Sequence, residues 1–171
     1  MPPGLNEMVV ESVRVHMLSS QHVVILKDLE HDRYLPIWIG TAEADAIARR
    51  LQGITPERPL THDLFASTLE ELGVAVKQVV VSDLADETFR ARLILQLADR
   101  TVDVDARPSD AIAIAIRAGV PIFATDAVLE RAGVTPEPDE DERLSVFREF
   151  VNSLDIDLGE SRGEGPERRP D

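Results

Sequence analysis

Residues 105–119 read DARPSDAIAIAIRAG, and their reading decides where the neighbouring Asp and Arg side chains point. The alternating Ile and Ala have the two-residue period of a half-buried strand, whereas the flanks carry helix-end signals. Pro108, Ser109 and Asp110 form a start: proline is pre-set for the first turn, and Ser and Asp favour that end. Arg117, Ala118, Gly119, Val120 and Pro121 form a stop, and Ala, the best helix former, is depleted from strands. The segment therefore reads as a helix. Ile112, Ala113, Ala115 and Ile116 cover one side and Ile114 points elsewhere, so the helix is apolar nearly all round. It is expected to be buried, its short Ala side chains letting neighbours approach closely.

Working outward, MVVESVRVHM (8–17), HVVILKDL (22–29) and YLPIWIG (34–40) read as a meander of strands, with Val13, Val15 and Met17 alternating in the first. TAEADAIARRLQG (41–53) places Ala44, Ile47, Ala48 and Leu51 at helical spacing, with Thr41 as N-cap and Gly53 as stop. After a proline-bearing loop, THDLFASTLEELG (61–73) repeats the signature, with Thr61 at the cap and Leu64, Thr68, Leu69 and Leu72 expected inward. Strands resume at 74–84, 88–98 and 101–106, and PIFA (121–124) reads as a short buried strand. TDAVLERAG (125–133) reads as a short helix capped by Thr125, and DERLSVFREFVNSL (141–154) as an amphipathic one. The expected fold is mixed α+β, with mainly antiparallel sheets of about seven strands and four to five helices.

One internal similarity suggests a βαβ-like pseudo-repeat. Strand, turn containing Asp-Arg, strand, then a helix with Asp-Ala-Ile-Ala occurs at 22–48 and again at 89–113. A match this short stands equally as coincidence in a chain rich in Ala and Ile.

The chain of 171 residues, 43% of them hydrophobic, holds one sizeable core, expected in residues 1–135. Residues 136–154 are expected to form a linker and the C-terminal amphipathic helix packed on that domain. Residues 155–171, highly charged with almost no apolar side chains, are expected to be a disordered acidic tail. No apolar run approaches a membrane span and the start lacks a leader pattern, so a cytoplasmic protein is expected. Cysteine is absent, which removes disulfides, thiolate metal sites and a cysteine nucleophile. The net charge is −14, divided equally between residues 1–135 and 136–171, and it opposes nonspecific binding to a polyanion. A nucleic acid would have to meet a local basic cleft or a divalent cation.

Three polar clusters adjoin helix starts: Glu43 with Asp45; Arg58 with Thr61, His62 and Asp63; and Asp105 with Arg107, Ser109 and Asp110. A helix start offers unpaired amides and positive partial charge, so Arg58, Arg107 and Ser109 are candidate phosphate ligands. Asp63 and Asp110 equally suit the bland role of first-turn carboxylates facing the helix dipole. Metal-assisted hydrolysis needs several carboxylates and often an imidazole around an activated water. The available set has His62, Asp63, Asp105 and Asp110 as catalytic candidates, with Glu43, Asp105 and Asp110 as ligands for Mg²⁺ or Mn²⁺. No organic cofactor is expected. Neither HExxH, an EF-hand loop nor a glycine-rich phosphate loop is present.

LPIWIGTAEADAIARRLQG (35–53), RPLTHDL (58–64), DARPSDAIAIAIRAGVPIFA (105–124) and VLERAG (128–133), in this order, resemble the bifunctional nuclease domain family. The likeness covers roughly residues 8 to 133, and the segment 142–154 is also similar. It implies an α+β domain that often self-associates, with nuclease activity on RNA and DNA attributed to plant members. The matching blocks contain Glu43, Arg58, His62, Asp63, Asp105, Arg107, Ser109 and Asp110, which are the clusters found above. The acidic tail departs from bacterial members that carry an extra interaction module there.

Two readings follow. In one, a phosphodiester of RNA or single-stranded DNA lies near the helix starts at Thr61 and Ser109, Arg58 and Arg107 neutralise it, and carboxylates hold a cation that activates water. In the other, the protein is a non-catalytic homo-oligomeric binding or regulatory module with structural Arg-Asp pairs. Whether Glu43, His62, Asp63, Asp105 and Asp110 converge discriminates between them.

Overall fold

The computed structural model describes residues 3–16, 18–136 and 149. The chain divides into two units, Met1–Thr135 and Pro136–Asp171. The helix expected at 141–154, apart from helical Glu149, and the tail expected at 155–171 lie outside the described residues. Among the described residues, no helix is long and apolar enough to cross a membrane.

The first unit is mixed α+β. Its elements are β1 (Leu5–Val15), β2 (His22–Asp28), β3 (Tyr34–Ile39), α1 (Thr41–Leu51), α2 (Thr61–Glu71), β4 (Ala75–Ala85), β5 (Thr88–Gln96), β6 (Thr101–Ala106), α3 (Pro108–Ala118), β7 (Ile122–Thr125) and α4 (Asp126–Ala132). The strands form one seven-stranded sheet in the order β3-β2-β1-β7-β4-β5-β6. Every neighbouring pair is antiparallel except β4 and β7. The repeating unit is a three-strand meander followed by a helix, β1-β2-β3-α1 and β4-β5-β6-α3, rather than a βαβ unit. The two meanders run outward from β7 in mirrored order with opposite strand directions, the arrangement a local twofold axis through the sheet would give.

The opening segment is a helix, and it is the centre of the core. Ala111 to Ala115 of α3 are all buried, and Gly119 ends the helix at φ 67°, a conformation that costs glycine little. Val24, Leu26, Leu35 and Ile37 from one meander join Val79, Val81, Ala91 and Leu93 from the other around α3, with Ile122 and Ala124 of β7 between them. Burying each such Val, Leu or Ile side chain stabilises the fold by about 1.5–3 kcal/mol before ordering costs.

Two local expectations are corrected. Thr41 and Thr61 open their helices as first helical residues, while Gly40 and Leu60 occupy the cap positions without a side-chain cap from either threonine. The expected inward face of α2 is also wrong: Leu64 and Leu72 are 59% and 71% exposed, Thr68 is exposed, and only Leu69 is half-buried. The covered stripe is instead His62, Asp63, Ala66 and Leu69, and α2 buries no residue fully. The two polar residues turn inward because α3 supplies their partners. Thr125, by contrast, caps α4 as expected, accepting from the Val128 amide at 3.3 Å.

A charged network fixes the β2–β3 turn. Asp28, 2% exposed, accepts from the amides of Glu30 and His31 at 2.9 and 3.3 Å and from Arg33 Nε and Nη2 at 3.1 and 2.7 Å. Arg33 continues to Asn6 Oδ1 at 3.2 Å, and Asn6 donates to Asp126 Oδ1 at 2.7 Å, so the turn is tied to β1 and to the start of α4. Burial pushes the Asp28 carboxyl up, but the Glu30 amide, Arg33 and the His31 amide together hold it below the usual carboxylate value.

Asp28→Ala is expected to cost about 2–3 kcal/mol in urea unfolding, less than the ~3–5 of a fully buried pair because Arg33 still meets solvent. Because the folded-state pKa is depressed, the Asp28 contribution is complete above about pH 4 and is lost as pH falls through the folded value. Thermal midpoints measured from pH 7 down to pH 3 should show a flatter acid limb for Asp28→Asn than for the parent protein.

Candidate active site

Helix α3 is apolar in its middle, and its charged residues, Asp110 and Arg117, lie seven positions apart near its ends. Seven residues are about two turns, so both side chains leave the same flank, roughly 10 Å apart along the axis. Helix α2 begins against that flank with His62 and Asp63. His62 Nε2 lies 2.8 Å from Asp110 Oδ1, and Arg117 Nε donates to Asp63 Oδ1 at 2.7 Å. Arg117, 8% exposed in its side chain, also donates to the carbonyls of Ala113 and Ala46 at 2.8 and 3.1 Å, so this guanidinium ties α3 to both α1 and α2. Asp63 completes its own bonding by accepting from the Leu60 amide at 3.0 Å.

The other oxygen of Asp110 meets Arg107, just before α3, whose Nε donates to Oδ2 at 2.8 Å. Arg107 Nη2 donates to Glu43 Oε1 of α1 at 2.6 Å. Gly40 gives Glu43 this room: its backbone, at φ −73°, suits any residue, but a Cβ there would collide with the Glu43 carboxylate. Glu43, Arg107, Asp110 and His62 thus form one chain of alternating partners across three helices. Arg107 Nη2 also lies 2.8 Å from Asp110 Oδ2, so the N–H groups of Nε and Nη2 are all turned to Asp110 and Glu43. With its side chain 65% exposed, Arg107 has the two N–H groups of Nη1 without a partner among the described residues.

The electrostatics follow from these bonds. Burial raises the Asp110 carboxyl, but His62 and then Arg107 more than offset it, so the group stays ionised well into acid. Asp63 behaves alike: burial is outweighed by Arg117 and the Leu60 amide. Arg107 is pushed up by Asp110 first and Glu43 second, which keeps it fully charged. An ionised Asp110 assigns the Nε2 proton of His62 to the shared bond, leaving Nδ1 as the basic ring nitrogen.

Of the residues expected at the site, Glu43, His62, Arg107 and Asp110 therefore come together, with Asp63 next in chain. Asp105 does not join them. It stands exposed on β6, opposite Arg92 in register, without a side-chain hydrogen bond or ion pair among the described residues. Asp45 pairs on the surface with Arg49 at 2.7 Å, and Arg58 is exposed in the loop before α2. Ser109 is 6% exposed within α3. Glu43, Asp105 and Asp110 do not assemble as a ligand set: the first and last are bridged by Arg107, and the described residues hold no cluster of three or more metal-binding side chains.

Sequence reasoning passed over Arg117, reading it as part of a helix stop. A lone charge two turns after Asp110 in an otherwise apolar helix was the available signal. A cleft of about 290 Å³ opens beside it, lined by Arg49, Arg50, Arg117, Asp63, Ile54 and Leu60 among others. Three guanidiniums share this cleft with the carboxylates of Glu57 and Asp63, and two of them are paired, Arg117 with Asp63 and Arg49 with Asp45.

The comparisons with known proteins agree with these blocks. An uncharacterized protein of Mycobacterium tuberculosis (strain ATCC 25618 / H37Rv) is 44% identical over 162 residues, spanning 90% of this chain and 97% of its own. Bifunctional nuclease 1 of Oryza sativa subsp. indica is 28% identical over 135 residues, 75% of this chain but 41% of the rice protein. Bifunctional nuclease 2 of Oryza sativa subsp. japonica is 31% identical over 91 residues, 52% of this chain and 28% of its own. A model of the bifunctional nuclease domain matches residues 24–137, which include every side chain of the network, and the chain belongs to that family.

Proposed function

We propose that the protein is a nuclease that hydrolyses phosphodiester bonds of RNA and DNA at the Glu43–Arg107–Asp110–His62 network. The observation that carries this reading is the pair of contacts on Asp110, with His62 Nε2 at 2.8 Å on one oxygen and Arg107 on the other. A carboxylate that orients an imidazole, beside a guanidinium with free donors, is the equipment for moving a proton next to a phosphate. The names of the rice relatives and the family support the same chemistry.

In this reading His62 Nδ1 accepts the proton of the attacking water as its oxygen bonds to phosphorus, the P–O bond to the leaving nucleoside oxygen breaks, and that oxygen takes a proton from solvent. Asp110 stays ionised and stabilises the imidazolium that forms. Arg107 turns its unused N–H groups to the charge that builds on the non-bridging oxygens, and Glu43 holds its guanidinium in place. The divalent cation expected from the sequence fits this donor set poorly, because Arg107 already supplies positive charge between Glu43 and Asp110. The chemistry of the chain's own groups is acid–base and electrostatic.

The rival reading, a homo-oligomeric binding module, is favoured by one observation. Leu60, Leu64, Phe65 and Leu72, on and around α2, are 42–71% exposed, an apolar surface suited to a second copy. The charge network lies on the other face of α2, where His62 and Asp63 meet α3, so self-association through the exposed face leaves the network in place.

Purified protein should cleave single-stranded RNA and DNA, and His62→Ala and Asp110→Asn should each lower the rate about 10²- to 10⁴-fold, as loss of acid–base catalysis does. Asp110→Asn should change stability by about 1 kcal/mol or less, the scale of a partly exposed ion pair. Equal losses of activity and stability would assign Asp110 to architecture instead, and a chelator arm reads any cation requirement. Light scattering after size exclusion should show an oligomer that Leu64→Glu shifts toward monomer; an unchanged mass would remove α2 from the interface.

A further inference from the structure

A second cavity, of about 390 Å³, adjoins the network from the other side of Arg107. That volume lies in the ~300–1,000 Å³ range of small-ligand sites. Its lining includes Trp38 at the end of β3, Phe89 at the start of β5, His22 at the start of β2, Arg107 and Ser109 at the start of α3, and one carboxylate, Glu87, in the β4–β5 turn. Strands β3 and β6 are the two outer edges of the sheet, so the end of one edge strand and the residues just after the other meet at this cavity.

Three observations there are independent. Trp38, the single tryptophan of the chain, is 57% exposed, and its ring stands at 69° to the His16 ring with centroids 6.3 Å apart. Ser109 is 94% buried yet its hydroxyl makes no hydrogen bond among the described residues, although no fully buried polar atom is left unpartnered; the hydroxyl therefore opens on the cavity that Ser109 lines. The amides of Ser109 and Asp110 precede the first helical bond of α3, donated by Ala111 to the Arg107 carbonyl, and face outward from its start. One wall thus offers an exposed indole, and the other a guanidinium, a hydroxyl and the Ser109 amide, which is the division of a nucleotide into base and phosphate.

We infer that this cavity is a nucleotide subsite in which an unstacked base lies on Trp38 while its phosphate is held by Arg107 and Ser109. The inference rests on the nuclease reading for its role, because Arg107 is shared between the subsite and the His62–Asp110 pair. It places the base next to the reacting phosphate and favours single strands, since a base within a duplex has no free face to stack.

The test uses the sole tryptophan as its probe. The full chain is titrated with a phosphorothioate single-stranded hexanucleotide, the same strand with abasic sites, and a hairpin duplex, while tryptophan fluorescence is followed. Saturable quenching is expected with the hexanucleotide alone. Trp38→Ala is expected to raise KM for single-stranded cleavage roughly 10- to 100-fold, the range for loss of one aromatic stacking contact, with kcat changed by about twofold or less. Trp38→Phe should recover most of the loss, and Ser109→Ala should weaken hexanucleotide binding without altering quenching at saturation. Cleavage without quenching, or an unchanged KM in Trp38→Ala, overturns the subsite and leaves the nuclease reading standing. Quenching without cleavage supports the subsite and overturns the nuclease reading. Equal quenching by the abasic strand overturns base stacking.

Discussion

The burial of α3 is the constraint on which the rest of the structure depends. A helix with five consecutive buried residues cannot scatter its charges, and Asp110 and Arg117 are left at the two ends of one flank. Each needs a partner there, because a half-buried charge without one is costly. His62 and Asp63 meet that need, and in doing so they dock a helix that buries none of its own residues fully. The polar network is therefore both the attachment of α2 and the candidate chemistry. A single set of side chains holds the helices together and carries the proposed chemistry.

That coupling explains which parts were legible in the sequence. The flanking signals of residues 105–119 settled helix against strand because proline, glycine and alanine each act locally. Strand limits were readable for the same reason, since Val102 and Val104 alternate with Asp103 and Asp105 in β6, while β2 is a run of Val23, Val24, Ile25 and Leu26 ended by Lys27 and Asp28. The burial of α2 was not readable, because its leucines have helical spacing whichever face is covered. The face was chosen by Asp110 and Arg117, 48 and 54 residues away from their partners. The joining of Glu43 to Arg107 across 64 residues is likewise invisible to local pattern. Asp105 shows the reverse error: it lies two residues before Arg107 in the chain, but the end of β6 turns its side chain to solvent.

Charge also acquires a different meaning at this scale. The net −14 describes the surface as a whole and argues against indiscriminate binding of polyanions. Around α1, α2 and α3, Glu43, Asp45, Asp63 and Asp110 are paired with Arg107, Arg49 and Arg117, while Arg50 and Arg58 remain exposed nearby. If the proposed function holds, an acidic exterior with paired charges at the site means that an anionic substrate is admitted by fit at a few donors, rather than gathered by long-range attraction. Such recognition is less sensitive to salt than that of a basic groove.

Strand β7 gives the sheet a particular history. It is four residues long and sits at the centre, yet it is the last strand in the chain, at Ile122–Thr125. As the chain leaves the ribosome, both meanders are complete well before the segment that joins them, and each presents an unpaired inner edge, β1 or β4, until then. The long-range pairing that unites them closes a large loop and arrives late, the ordering associated with slow folding. Time spent in that open state is when two nascent copies could exchange meanders across each other's gap, so the shortest strand of the sheet is the one that decides whether a chain completes itself or a neighbour.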